Sequence, residues 1–154
     1  TSNIRRNSPL CLDSKIHHNN LINNILAKIE ANHARVDDAI MLDLYGFVAE
    51  TNATNIFMIK NNNVFTPFAD ACLPGITRQT IIELCEENNI SVYEKNISVT
   101  ELYNADQVFT TGTMGELAQV DQIDNREINN KGNILEKLQA LFKSLTLVSG
   151  EEIK

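Results

Sequence analysis

The chain has 154 residues, of which 43% are hydrophobic, and this is enough for one globular domain with an apolar core. Its 13 basic and 20 acidic residues give a formal net charge of −7, which disfavours binding to nucleic acids and to anionic membranes. No apolar stretch reaches the roughly 20 residues that span a bilayer, and the three cysteines show no C-x-x-C spacing. We therefore expect a cytoplasmic protein without a bound metal and without a nucleic-acid or membrane partner.

The first half of the chain predicts one helix followed by a series of strands. Apolar residues recur at spacings of three and four from Leu21 to Ile29, so a helix is predicted that begins after Asn20 and runs to about His33. A short apolar run at 39–42 predicts a buried strand. Asparagine-rich turns separate three further apolar segments and predict a meander or hairpin series, with strands at 46–49, 55–59 and 64–66.

Helices and strands alternate in the second half. A glycine turn at 73–75 precedes apolar residues at helical spacing, which predict a helix from Ile76 to about Asn88. A strand at 90–94, a short helix at 99–103 and a second strand at 107–111 follow. The segment 134–145 predicts an amphipathic helix whose inward-facing residues are Leu135, Leu138, Leu141, Phe142 and Leu145. This alternation predicts an α/β domain.

Two short segments have the chemistry of an anion site. Leu73-Pro74-Gly75-Ile76-Thr77-Arg78 places a glycine turn before a helix, where free backbone N–H groups and the helix dipole attract a phosphate. Thr110-Thr111-Gly112-Thr113 places hydroxyl groups around a glycine at the end of a strand. Each segment is also common in ordinary turns, and from these residues alone the ordinary turn is the preferred interpretation of both.

Three other positions are weaker candidates for chemistry. Lys15 precedes the first helix and would act as a nucleophile only if it were desolvated or placed beside other cations. His17 and His18 are adjacent and have no carboxylate or cysteine at metal-ligand spacing, so a metal site is not predicted. Glu50 ends an apolar strand, where most glutamates are turn residues.

Taken in order, these segments resemble the carboxy-terminal domain of fold-type IV (class IV) pyridoxal-phosphate (PLP) aminotransferases of the branched-chain and D-amino-acid type. The resemblance covers about Arg5 to Arg126, and its motifs are GFVAETNATNIF at 46–57, LPGITR at 73–78 and ADQVFTTGTMGE at 105–116. It implies the D-amino-acid aminotransferase-like PLP fold, an α/β domain with a mixed sheet or pseudo-barrel surrounded by helices. It also implies an interdomain approach segment at 1–14 and a PLP-binding domain at 15–154, with the amino-terminal domain absent from this chain.

The same resemblance assigns roles to particular residues. PLP would form a Schiff base with Lys15, and Glu50 would hold the pyridine nitrogen protonated. After exchange with the substrate, Lys15 would move the proton between the substrate and the cofactor. The phosphate would be bound by the backbone of Ile76 and Thr77 and by the hydroxyl of Thr113. The remaining assignments are cofactor contacts at Thr54, Asn55, Leu73 and Gly75, and substrate contacts at Thr113 and Met114.

The position of the lysine departs from the family pattern. An ungapped alignment places His17, rather than Lys15, at the family's lysine position. Histidine cannot form the imine, and Lys28 is fixed within the predicted helix. Lys15, reached through a slightly longer loop, is therefore the preferred anchor.

The function implied by the resemblance is amino transfer between a branched-chain or D-amino acid and a 2-oxo acid, in a cytoplasmic homodimer. One alternative is a carbon–carbon lyase like aminodeoxychorismate lyase, which shares the scaffold and the cofactor motifs. A second alternative is a non-catalytic ligand-binding homologue whose lysine loop has decayed. Because the family's amino-terminal domain supplies part of the pocket, we expect little or no transaminase activity from these 154 residues alone.

Overall fold

A computed structural model describes residues 1–148, which form four helices and nine strands. The helices are α1 (Ile22–Ala34), α2 (Ile76–Glu87), α3 (Val99–Tyr103) and α4 (Ile134–Val148). The strands are β1 (Ile40–Leu42), β2 (Val48–Thr51), β3 (Asn55–Lys60), β4 (Asn63–Thr66), β5 (Val92–Glu94), β6 (Gln107–Gly112), β7 (Glu116–Gln119), β8 (Gln122–Ile123) and β9 (Arg126–Glu127).

A mixed five-stranded sheet forms the centre of the domain, in the order β5-β4-β3-β6-β7. β4 and β5 are parallel, whereas the other three pairs are antiparallel. Two-stranded sheets of β1 with β2 and of β8 with β9 lie outside it. The predicted α/β class and mixed sheet are therefore confirmed. The central sheet is open, with β5 and β7 as its edges, so the described residues do not form a closed barrel.

Both faces of the central sheet are covered by apolar side chains. Phe57 on β3 and Phe109 on β6 stack with ring centroids 5.0 Å apart, and both pack towards α2 and α4. Ile56 and Val108 point to the opposite face, where they pack with residues of α3. Strands buried on both faces are apolar without alternation, which is why β3 reads as a continuous hydrophobic run.

Most elements predicted from the sequence are present with shifted ends. The segment predicted as a strand at 46–49 instead begins at Val48, because Gly46 has a φ of +88° and belongs to the preceding turn. β7, β8 and β9 were not predicted, since they are short and mostly exposed and show little apolar alternation. In α4, Leu135 and Leu138 are buried as expected, whereas Leu145 is 41% exposed.

Helix α1 uses small residues, not its large apolar ones, to contact the rest of the domain. Ala27 and Ala31 are buried and pack against Met41 of β1. Five apolar residues on other sides of the helix are 43–58% exposed: Leu21, Ile22, Ile25, Leu26 and Ile29. No helix within residues 1–148 is long and apolar enough to cross a membrane.

The first residues of the chain run beside β1 and bring an arginine to the domain's interior. The backbone N–H groups of Ser2 and Arg6 donate hydrogen bonds to the carbonyl oxygens of Ile40 and Leu42, each at 2.8 Å. Successive side chains of an extended segment point in opposite directions. Arg6 is buried as a result, whereas Arg5 is exposed.

Candidate functional site

The site is centred on Glu50, a buried carboxylate in β2 that lies opposite Met41 of β1. Its Oε1 atom accepts a hydrogen bond from Nε of Arg6 at 2.7 Å, and both side chains are less than one-tenth exposed. Its Oε2 atom has a longer contact, 3.4 Å, with Nδ2 of Asn55. A charge this deeply buried needs a partner, and Arg6 provides it.

Two opposing effects set the pKa of Glu50. Burial raises this pKa from 4.5 to about 7, and the Arg6 guanidinium acts in the opposite direction. The carboxyl group therefore changes charge near neutral pH, where it can donate a proton to, or share one with, a basic group placed beside it.

This raised pKa predicts how stability depends on pH when no ligand is bound. Glu50 binds its proton more tightly in the folded than in the unfolded chain, so it stabilises the fold below about pH 4.5, and this contribution is lost as the pH rises to about 7. The loss is about 3 kcal/mol, at roughly 1.4 kcal/mol per pKa unit. Urea unfolding at both ends of this range should show it in the wild type. In Glu50→Gln the free energy of unfolding should not show this loss. An equal pH dependence in both proteins would contradict its assignment to Glu50.

A pocket of about 390 Å³ opens beside Glu50. It lies between the loop that precedes α1, the first turns of α1, and the turn after β2. The residues that line it are Arg6, Ser14, Ile16, His17, His18, Leu21, Asn24, Ile25, Lys28, Glu50, Asn52, Ala53 and Leu73. The pocket thus combines a buried carboxylate with one apolar side of α1.

Arg6 and a group of asparagines organise this pocket, and the sequence did not identify them. Nη1 of Arg6 donates hydrogen bonds to the amide oxygens of Asn23 and Asn24, at 2.9 and 3.2 Å. Asn24 in turn donates to the carbonyl oxygen of Asn52 at 2.9 Å. Arg6 was assigned only to an approach segment. The one local signal was the polar Asn23-Asn24 pair that interrupts the apolar pattern of α1.

The second part of the site is the amino terminus of α2. Gly75 is its N-cap, and no side chain caps the helix, so the first N–H groups remain available to an anion. Ile76 is largely exposed and Thr77 partly buried, as expected for the mouth of such a site. Arg78 is buried, pairs with Glu94 and donates to the carbonyl oxygen of Pro67 at 2.9 Å, which fixes the start of α2 to the sheet.

Asn55 connects these two parts. Its Nδ2 atom donates to the carbonyl oxygen of Leu73 at 2.8 Å and also approaches Glu50. The structure therefore brings together four of the residues singled out from the sequence, Glu50, Asn55, Leu73 and Gly75.

Three further predicted residues, Thr54, Thr113 and Met114, lie in turns at the ends of the strands. The Thr54 hydroxyl is 2.7 Å from the Thr51 hydroxyl, within the turn that joins β2 to β3. Its methyl group approaches Gly112, where an added Cβ would lie 3.0 Å away. Thr113 and Met114 form the exposed turn after β6, and the Met114 side chain is fully exposed.

Lys15 lies apart from Glu50. Its Nζ atom is 4.0 Å from Asp70, and its side chain is half exposed. Ser14 and Ile16, on either side of it, line the pocket, whereas Lys15 does not. His17 and His18 do line it. No group of three or more metal-ligating side chains occurs among residues 1–148.

Comparisons with known proteins identify the family and the fold of this chain. Residues 1–123 match the family described as amino-transferase class IV. Branched-chain-amino-acid aminotransferase-like protein 2 of Arabidopsis thaliana is 59% identical over an alignment of 155 positions, which covers 99% of this chain and 28% of that protein. The branched-chain aminotransferase of Thermoproteus uzoniensis, solved with norvaline, has a TM-score of 0.91 and 32% identity, over 97% of this chain and 50% of that one.

A second solved relative carries the cofactor. The branched-chain amino acid aminotransferase of Thermobaculum terrenum in its PLP form has a TM-score of 0.89 and 30% identity, over 94% of this chain and 48% of that one. This chain thus spans about half the length of the solved aminotransferases and 28% of the plant relative. With the family match extending from the first residue to Ile123, the chain belongs to the class IV aminotransferase family.

Proposed function

We propose that this chain is the cofactor-binding part of a PLP-dependent aminotransferase, which moves an amino group between a branched-chain or D-amino acid and a 2-oxo acid. The observation that carries the proposal is the buried Glu50 carboxylate, linked through Asn55 to the turn that starts α2. The family match supports it, as do the solved relatives, one in a PLP form and one with norvaline.

The side chains and backbone groups of the site suit both polar ends of PLP. The cofactor has a basic ring nitrogen, for which the buried Glu50 provides a carboxylate, and a phosphate, for which the uncapped start of α2 provides N–H groups. Thr111 adds a buried hydroxyl that has no partner among the described residues and lies opposite Asn55 in the sheet. When bound, PLP supplies an electron sink for amino-acid chemistry.

Within this proposal each residue has a stated task. Glu50 holds a proton at the ring nitrogen, while the backbone N–H groups of Ile76 and Thr77 bind the phosphate with help from the Thr113 hydroxyl. Further cofactor contacts are assigned to Thr54, Leu73 and Gly75, with Met114 beside the substrate. Asn55 connects the two ends of the site. Lys15 is the covalent anchor and carries the proton to and from the substrate. For this the loop must turn so that Nζ leaves Asp70 and enters the pocket.

A second candidate function needs no such rearrangement. His17, two positions beyond Lys15, lines the pocket. Histidine cannot form the covalent bond to PLP that a lysine forms. This placement favours a homologue that binds PLP or a related ligand without covalent attachment and without amino transfer. The buried carboxylate and the start of α2 serve that function equally well.

Borohydride reduction of the full-length protein, followed by peptide mapping, separates the two functions. Under the aminotransferase proposal, PLP is expected to become fixed to Lys15, and Lys15→Ala should abolish the label. Lys143→Ala, a change of an exposed lysine on α4, should leave it intact. Bound cofactor that leaves no label on any lysine would instead establish the second function, and a label on Lys28 would refute the assignment of the anchor.

We also propose that the full-length protein is a cytoplasmic homodimer. The half-exposed apolar face of α1 supports a further subunit or domain contact, because it lies beside the pocket and contributes Leu21 and Ile25 to it. The three thiols, free in the described structure, support a reducing compartment.

A further inference from the structure

Asn55 occupies the narrow space between the two polar ends of the site. It is the first residue of β3 and only 6% exposed, so its amide group is shielded from water. The Nδ2 atom makes a short hydrogen bond to the Leu73 carbonyl, at 2.8 Å, and a weaker contact with Glu50, at 3.4 Å. The stronger of its two interactions is therefore with the turn before α2.

Gly75 shows how closely this amide approaches the turn. A Cβ atom added to Gly75 would lie 2.3 Å from Oδ1 of Asn55, far inside van der Waals contact. The backbone of Gly75, with a φ of −63° and a ψ of 144°, is accessible to any residue. A side chain at position 75 would therefore displace the Asn55 amide, although the backbone conformation itself would accept one.

The Leu73 carbonyl oxygen is where the turn is held. It accepts hydrogen bonds from Nδ2 of Asn55 at 2.8 Å and from the backbone N–H of Gly75 at 2.9 Å. Since Gly75 is the N-cap, any displacement of Leu73 moves the first N–H groups of α2. Asn55 pairs with Thr111 of β6, and this pairing fixes the Asn55 backbone in the sheet. The Asn55 side chain therefore holds the start of α2 in a fixed position relative to the sheet.

We propose that Asn55 is a positioning residue that sets the place of the α2 amino terminus relative to Glu50, and so tunes phosphate recognition without contacting the cofactor. This rests on the proposed function, namely the binding of PLP with its phosphate at α2. It changes the role expected for Asn55, which the family resemblance assigned to direct cofactor contact.

The test compares the affinities of the full-length protein for PLP and for pyridoxal, which lacks the phosphate. Asn55→Ala is expected to weaken binding of PLP roughly 5- to 30-fold, the effect of one or two lost hydrogen bonds, and to change pyridoxal binding much less. Asn63→Ala, in which the lost amide contacts only the nearby Asn61 carbonyl, is the matched control and should change neither affinity. Equal loss of affinity for both probes in Asn55→Ala would mean a merely structural role and would overturn the proposal.

Gly75→Ala provides a second variant that leaves β3 untouched. It should displace the Asn55 amide and weaken PLP binding selectively, as Asn55→Ala does. In the double variant the clash is absent, so adding Gly75→Ala to Asn55→Ala should cost little more, a strong departure from additivity. Additive losses would contradict the proposal while leaving PLP binding itself established. Failure of the wild type to bind PLP would instead refute the proposed function together with this inference.

Discussion

Replacing His17 by lysine is expected to create a covalent, borohydride-reducible bond between PLP and residue 17 in most chains of the full-length protein. The reason is position, since residue 17 lines the pocket beside Glu50. An amine at residue 17 therefore reaches the cofactor without the turn of the loop that Lys15 needs to leave Asp70. An amine held within the pocket lies close to the bound cofactor, whereas an exposed lysine does not. Mass spectrometry of the reduced peptides measures the result directly.

Two controls make this result specific. Asn19→Lys places a new lysine on the same loop but outside the set of pocket-lining residues. Residue 19 should therefore acquire no label. Combining His17→Lys with Lys15→Ala should retain the label on residue 17. If His17→Lys carries no label although PLP is bound, position 17 does not face the cofactor, and the structural support for the second candidate function is lost.

Local sequence was sufficient to predict where α2 begins, which is the place proposed for the phosphate. The glycine turn and the helical spacing after it place the start of α2 at Ile76, where the structure has it. A helix start is determined by neighbouring residues, because its free N–H groups follow from the helix itself. The strands β3 and β6 could also be predicted from their apolar residues, since both strands are buried on two faces.

Contacts between distant residues could not be predicted in this way. Arg6 meets Glu50 across 44 positions, and only the path of the first segment beside β1 brings them together. The apolar spacing of α1 predicted the helix, but the buried contact is made by Ala27 and Ala31. Small residues allow close approach of backbones, and a pattern of large apolar residues does not reveal them.

Removing the charge of Glu50 should have the largest effect on cofactor binding. Glu50→Gln keeps the shape of the side chain but cannot stabilise a protonated ring nitrogen. A hydrogen bond to a charged group contributes about 1.5–3 kcal/mol, so the Kd for PLP should rise roughly 10- to 100-fold. Amino transfer by the full-length protein should fall further because the unprotonated ring is a weaker electron sink. Equilibrium titration and turnover assays measure the two effects separately.

The variant must be distinguished from a general loss of stability, because it leaves the buried Arg6 without its carboxylate. The double variant Arg6→Gln/Glu50→Gln removes both charges and should recover stability in urea unfolding. It should not recover PLP affinity, since the ring nitrogen still has no anionic partner. Glu127→Gln, an exposed change on β9, is the matched control and should bind PLP normally. Wild-type affinity in Glu50→Gln would show that the ring nitrogen lies elsewhere, and recovery of affinity in the double variant would assign the loss to the unpaired arginine.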